Sequence, residues 1–181
     1  MEVNVVKVPE DADFQRVVYL CDDHAGWSLK YHKKSTKIWT KPSKQTDFHM
    51  IKARCEYQGV SAETVYDVLH DADYRRQWDK YMMDAKDVGL LNPNNDICYY
   101  ALRSLPPLKH RDFLMQRSWL DLGKEKIIFN HSVCHDDFPP RKGIIRAVSY
   151  MSGYLIRTLT ENSCQVSYFS HCDPKGNVKY R

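Results

Sequence analysis

Residues 60–81, VSAETVYDVLHDADYRRQWDKY, constrain the fold more than any other stretch, because they spell an amphipathic helix with a marked start and a marked break. Ser61 is a favoured N-cap residue, and Glu63 places an acid in the first turn, where the helix dipole favours it. Ala62, Val65, Tyr66, Leu69 and Ala72 recur at helical spacing as one apolar stripe, so the helix has to lie against something. Asp71 or Asp73 can cap a second short helix, 74–78, that turns the chain sharply. Arg75 and Asp79 stand four apart on it, within pairing reach. Taken alone, this is a helix on a sheet with a solvated Arg–Asp pair; the rest of the chain supplies the sheet.

Upstream, Phe14, Val17, Val18 and Cys21 predict a helix over 10–22, which His24-Ala25-Gly26 ends. Residues 27–32 and 37–41 read as a hairpin, and 48–57 as a third strand. Six lysines and no acid lie between residues 30 and 44. Lysines guarding a solvated edge strand account for them, and a contact face for anionic lipid head groups is the sharper alternative. Downstream, strands are predicted over 84–91, 97–103, 112–120, 126–135, 144–159 and 164–172. Two proline-bearing loops, 104–110 (SLPPLKH) and 136–143 (DDFPPRKG), interrupt them. The order predicts a single α+β domain over residues 1–181, a strongly curved antiparallel sheet with helices on one side. Such a grip encloses a cavity more readily than it builds a flat core.

Composition narrows the function classes. With 43% hydrophobic residues in 181, the chain can build one sizeable core and is not a disordered tail. No apolar run reaches the length of a membrane span, the start MEVNVVKVPEDAD has no signal-peptide pattern, and six scattered cysteines include no C-x-x-C. These features predict a cytoplasmic protein with reduced thiols. A net charge of +4 permits an anionic surface as partner without requiring one.

The catalytic patterns fail. There is no G-x-S-x-G, no phosphate-cradling glycine loop and no dinucleotide fingerprint, and only seven glycines in all. His131 and His135 would lie about 13 Å apart along a strand, too far to share a metal, so they read as core or surface histidines. Asp71, Asp73 and Asp79 are better explained as caps and an Arg75 partner than as acid–base pairs. No enzyme, metal or cofactor is expected. Tyr100, Phe113 and Tyr150 fall on three separate predicted strands. Facing inward together they would form a box for a quaternary ammonium, although each by itself reads as an ordinary core aromatic.

The motifs W-x-L at 27–29, IW at 38–39, YDVLHDADYRRQWD at 66–79, LKHRDFLMQRSW at 108–119, FPPRKGIIRAVSYMSGYLI at 138–156 and DPKG at 173–176 occur in this order. Together they resemble the START lipid-transfer domain, in its phosphatidylcholine-transfer-protein subgroup, closest to its carriers of phosphatidylcholine and phosphatidylethanolamine. The resemblance implies a helix-grip fold whose sheet wraps one lipid, with Arg75 on the lipid phosphate and Asp79 as its supporting carboxylate. It places the head-group cage on Tyr100, Phe113 and Tyr150, and Arg117 among the polar groups of the pocket. Steroid and sterol carriers of the family put an acid on the strand that holds Tyr100, paired with the arginine matching Arg117. Residues 97–102 contain no acid, so the sequence leaves Arg117 without that partner and argues against a sterol pocket.

The resulting expectation is a monomeric carrier that takes a glycerophospholipid from one membrane to another, touches membranes transiently and has no nucleic-acid partner. Its rivals are an enzyme of the same architecture, as in the polyketide-cyclase relatives, and an interaction or lipid-sensing module. The family continues after the DPKG turn into a long helix that lies across the tunnel as a lid. Only Asn177, Val178, Lys179, Tyr180 and Arg181 follow Gly176 here, too few for a helix, so the lid is expected to be missing and lipid retention poor.

Overall fold

The structure, a computed structural model, describes residues 2–176, so the expectation about the segment after Gly176 lies outside the described residues. Its elements run α1 (Asp11–Asp22), β1 (Ser28–Lys33), β2 (Thr36–Lys41), β3 (Met50–Gln58), α2 (Ala62–His70), α3 (Arg75–Trp78), β4 (Met82–Asn92), β5 (Asn95–Leu102), β6 (Arg111–Asp121), β7 (Glu125–Ser132), β8 (Ile145–Arg146), β9 (Val148–Thr160) and β10 (Ser163–Asp173). Nine strands pair in the order β1-β2-β3-β10-β9-β7-β6-β5-β4, with β8 attached to β6. The strand expected over 144–159 is thus broken at Ala147. Its first piece, β8, pairs in parallel with β6, and Ala147 N donates to Asp112 O across that junction. The Asp112 carboxylate, itself fully buried, receives Arg146 Nε and Nη2 at 2.9 and 3.1 Å and so fixes the corner.

The helices start and stop where local chemistry tells them to. Ser61 Oγ accepts the Thr64 amide at 3.1 Å and caps α2. At the far end of α1, Lys52 Nζ reaches up from β3 and donates to the carbonyls of Leu20 (3.1 Å) and Asp23 (2.5 Å), while lying 4.4 Å over the Trp27 ring. A cation at the negative end of the helix dipole is well placed there. Burial of this ammonium pulls its pKa down to about 8. Lys126, almost wholly buried, clamps α2 to the β6–β7 hairpin through Glu63 (2.8 Å) and Asp121 (2.7 Å).

The helices do not share one side of the sheet, contrary to the expectation. α1 packs Val17 and Cys21 with Ile127, Phe129, Leu155 and Phe169, whereas Ala62 of α2 packs with Ile156 and Cys164. Leu155 and Ile156 are consecutive on β9, and consecutive strand residues face opposite sides. Strands covered on both faces carry apolar residues at neighbouring positions. The cysteines are free: Cys21 and Cys164 are buried, Cys134 is exposed and the other three are half-buried.

Among the described glycines, Gly153 on β9 leaves the least room for a side chain. A Cβ there would sit 2.4 Å from the Ile128 carbonyl oxygen and 2.7 Å from Phe129 Cβ, backbone-anchored atoms that cannot swing aside. Phe129 is fully buried and its ring meets Phe14 edge-on at 5.2 Å. Gly153→Ala is therefore expected to cost about 1–3 kcal/mol by overpacking, read as a lower denaturant midpoint at unchanged slope. An unchanged midpoint would show that the sheet yields there.

Candidate functional site

On the face opposite α1, the curved sheet and α2–α3 enclose a cavity of about 320 Å³. Its wall combines Leu69, Leu102, Met115 and Ile128 with Tyr100, Phe113, Tyr154 and Tyr168. Arg75, Arg117, Asn130, Ser149, Ser152, Ser170 and Cys172 supply the polar lining.

Asp71 positions the first arginine. Its Oδ1 accepts the Tyr74 amide at 2.7 Å and so starts the turn into α3, which projects Arg75 over the sheet. The Arg75 guanidinium lies 4.8 Å over the Tyr100 ring and 5.2 Å over Trp78. Its Nε is 3.6 Å from Asp79 Oδ2, an ion pair too long for a hydrogen bond, and this buried N–H has no hydrogen-bond partner. The Asp79 carboxylate instead accepts the Tyr100 hydroxyl. Burial, reinforced by that bond, raises the Tyr100 pKa. Arg75 is thus lodged in the wall with Asp79 at ion-pair distance and with its Nε–H lacking a hydrogen-bond acceptor.

Arg117 has a carboxylate partner of its own, which corrects the sequence reading. β5 begins at Asn95, ahead of the expected start at residue 97, and its second residue, Asp96, lies directly across from Arg117 on β6. The two form a fork: Nε to Oδ1 at 3.1 Å and Nη2 to Oδ2 at 2.5 Å, with Nη1 donating to the His70 carbonyl at 3.1 Å. Burial alone would lower the Arg117 pKa, but the Asp96 bond and charge outweigh it and the net shift is upward. The argument against a sterol pocket from a missing acid therefore falls away.

Of the three expected cage aromatics, the structure brings two together. Tyr100 and Phe113 are direct cross-strand partners on β5 and β6 and both line the cavity. Tyr150 does not join them. The β9–β10 register shifts between His171 and Cys172, pairing these with Met151 and Ser149 and leaving Tyr150 as the extra residue of a bulge. Its ring lies against His171 at 4.6 Å, and its hydroxyl donates to the Gln45 carbonyl at 3.3 Å. The aromatics at the wall from this side are Tyr154 and Tyr168, which neither motif nor composition singles out. Their rings pack together at 4.9 Å, and burial pushes the Tyr168 pKa up to about 12.

The sequence reading also missed the polar wall. Ser152 Oγ donates to Ser170 Oγ (3.1 Å), Ser170 Oγ donates to Cys172 Sγ (3.2 Å), and Ser149 Oγ lies 3.0 Å from Asn130 Oδ1 and 3.1 Å from Ser152 Oγ. The available signal was serine recurring within strands too apolar to face water on either side.

His131 is a core histidine whose Nε2 meets the Val5 carbonyl at 2.9 Å, and burial lowers its pKa. Among the described residues, no group of three or more His, Cys, Asp or Glu side chains is placed to hold a metal ion, and no helix is long and apolar enough to cross a membrane. The lysine-rich segment includes the exposed edge strand β1, at the opposite end of the sheet order from β4. A second cavity of about 290 Å³ runs along α2 between Val60, Val65, Val68 and Trp78, and it shares Leu69 with the first.

Comparison with known proteins agrees with this geometry. The START domain family model matches residues 8–179. Mouse and human START domain-containing protein 10 are each 42% identical over 174 residues, covering 96% of this chain and 60% of the relative. The chain thus spans about three-fifths of the length of these relatives. Mouse phosphatidylcholine transfer protein is 26% identical over 158 residues, or 85% of this chain and 73% of that protein. A crystal structure of human STARD10 superposes with a TM-score of 0.91 at 42% identity, over 96% of this chain and 71% of that one. Human StAR-related lipid transfer protein 5, at 17% identity and a TM-score of 0.85, covers 93% of this chain and 82% of its own and shares the fold. This chain belongs to the START domain family.

Proposed function

We propose that the protein binds one glycerophospholipid, phosphatidylcholine or phosphatidylethanolamine, and carries it between membranes. The observation that carries this reading is Arg75: a half-buried arginine whose buried Nε–H lacks any hydrogen-bond partner, on the wall of a cavity with a mixed polar and apolar lining. A phosphodiester accepts two guanidinium N–H groups at once, which neither a hydroxyl nor a water does with the same geometry or charge. Asp79 holds Arg75 and Tyr100 in place; Tyr100 and Phe113 wall the head group. Leu69 borders both cavities, so an acyl chain leaving the first meets the apolar groove beside α2. At roughly 0.8 kcal/mol per buried methylene, apolar burial supplies affinity and the head-group site supplies selection.

Catalysis is not needed for such a role. Among the described residues the wall holds hydroxyls and a thiol but no histidine, and Asp79 and Asp96 are engaged with arginines. The 104–110 loop exposes Leu105 (70%) and Leu108 (42%), apolar surface suited to brief contact with a bilayer by a peripheral, cytoplasmic monomer. The name of phosphatidylcholine transfer protein supports the same lipid class.

Native mass spectrometry of the purified protein tests this. A single bound glycerophospholipid, exchangeable for labelled lipid from vesicles, is the expected result. A bound sterol, or no uptake of phospholipid from vesicles, would overturn the proposal.

A further inference from the structure

The strand register aligns five polar residues that lie far apart in sequence. Asp96 faces Arg117, Arg117 faces Asn130, Asn130 faces Ser152 and Ser152 faces Ser170, so one polar row crosses β5, β6, β7, β9 and β10. Arg117, Asn130, Ser152 and Ser170 all line the cavity that Arg75 borders. One end of the row is chemically closed, because the Asp96 fork and the His70 carbonyl engage Arg117 through Nε, Nη1 and Nη2.

The other end is open, and mainly as an acceptor. Each serine has a single hydroxyl hydrogen and two lone pairs. The hydrogen of Ser152 goes to Ser170, that of Ser170 to Cys172, and that of Ser149 to Asn130 or Ser152. With those hydrogens engaged inside the network, the serine oxygens offer only lone pairs, while Asn130 offers its Oδ1 lone pair beside two Nδ2–H donors. At the serine oxygens and Asn130 Oδ1 the wall therefore suits a hydrogen-bond donor, and best a charged one.

The aromatic alternative is largely occupied. Arg75 already lies over the Tyr100 ring, Tyr154 and Tyr168 pack on each other, and Tyr150 stands outside the cavity against His171. A trimethylammonium would find Phe113 in place of a three-sided cage, and its methyl groups would cover the serine oxygens without donating to them. Resting on the reading that Arg75 takes a lipid phosphate, we propose that the Asn130–Ser152–Ser170 row is a subsite for a primary ammonium. The preferred ligand is then a phosphodiester with an ethanolamine-type head group.

The N-methylation series tests this directly. Vesicles containing phosphatidylethanolamine, its N-methyl and N,N-dimethyl forms, or phosphatidylcholine, all with the same acyl chains, are compared as donors for the full chain. Transfer is expected to fall stepwise with each N–H lost, by about tenfold from the first to the last. The ethanolamine-to-choline ratio should collapse towards one in a Ser152→Ala, Ser170→Ala double variant whose circular dichroism matches wild type. Ser170→Ala alone provides the same reading if the double variant does not fold. A flat series, a series rising towards choline, or an unchanged ratio in the variant would overturn the subsite. Equal transfer of all four lipids would leave the phospholipid reading standing and remove only this one; transfer of none would remove both.

Discussion

Arg75→Ala is expected to reduce phospholipid transfer by at least about a hundredfold, with the circular dichroism spectrum unchanged. A bidentate guanidinium–phosphate contact contributes two charge-assisted hydrogen bonds, each worth about 1.5–3 kcal/mol. Losing both leaves the phosphate in a cavity whose other arginine is already paired with Asp96. The fold should survive, because Arg75 makes no hydrogen bond through Nε and Asp79 keeps the Tyr100 hydroxyl. Arg75→Lys should recover part of the activity: an ammonium supplies the charge but not the planar fork. A folded Arg75→Ala protein that still transfers phospholipid at the wild-type rate would remove Arg75 from the head-group site.

Asp96→Ala is expected to act on stability first. The Asp96 and Arg117 side chains are only 12% and 18% exposed, and they meet in a fork. Removing one partner of such a pair leaves a desolvated charge behind, at a cost of about 3–5 kcal/mol, a large fraction of the stability of a single domain. Replacing both, as Asp96→Leu with Arg117→Met, should recover most of the loss, because a hydrophobic pair of similar volume needs no counter-charge. Denaturant unfolding of the two single variants and the double variant closes the cycle. A single-variant cost below about 1 kcal/mol would place the pair with ordinary surface ion pairs and end its description as a structural closure of the cavity.

Local pattern carried much of this molecule. The Ser61 cap, the apolar stripe of α2 and the Asp71 turn into α3 are all encoded within a few residues of one another, so they read directly from the chain. The 75/79 spacing likewise put Arg75 beside Asp79 without knowledge of any strand. Strand alternation announced most of the sheet, and the two proline-bearing loops marked its interruptions.

What the sequence could not supply is which residues meet across strands. Asp96 was missed because the strand start was placed two residues too late, and a carboxylate outside a presumed strand has no partner to look for. The bulge that turns Tyr150 away depends on the pairing of β9 with β10, more than a dozen residues of ladder that fix where one extra residue is absorbed. The polar row exists only as a register: Asp96, Arg117, Asn130, Ser152 and Ser170 are spread over 75 positions of the chain and meet because five strands pair in one alignment. Side-chain alternation is a property of a single strand and can be read from it. Register is set by which hydrophobic faces must be buried together, a condition on the whole sheet, and so only the folded structure decided what the cavity offers a ligand.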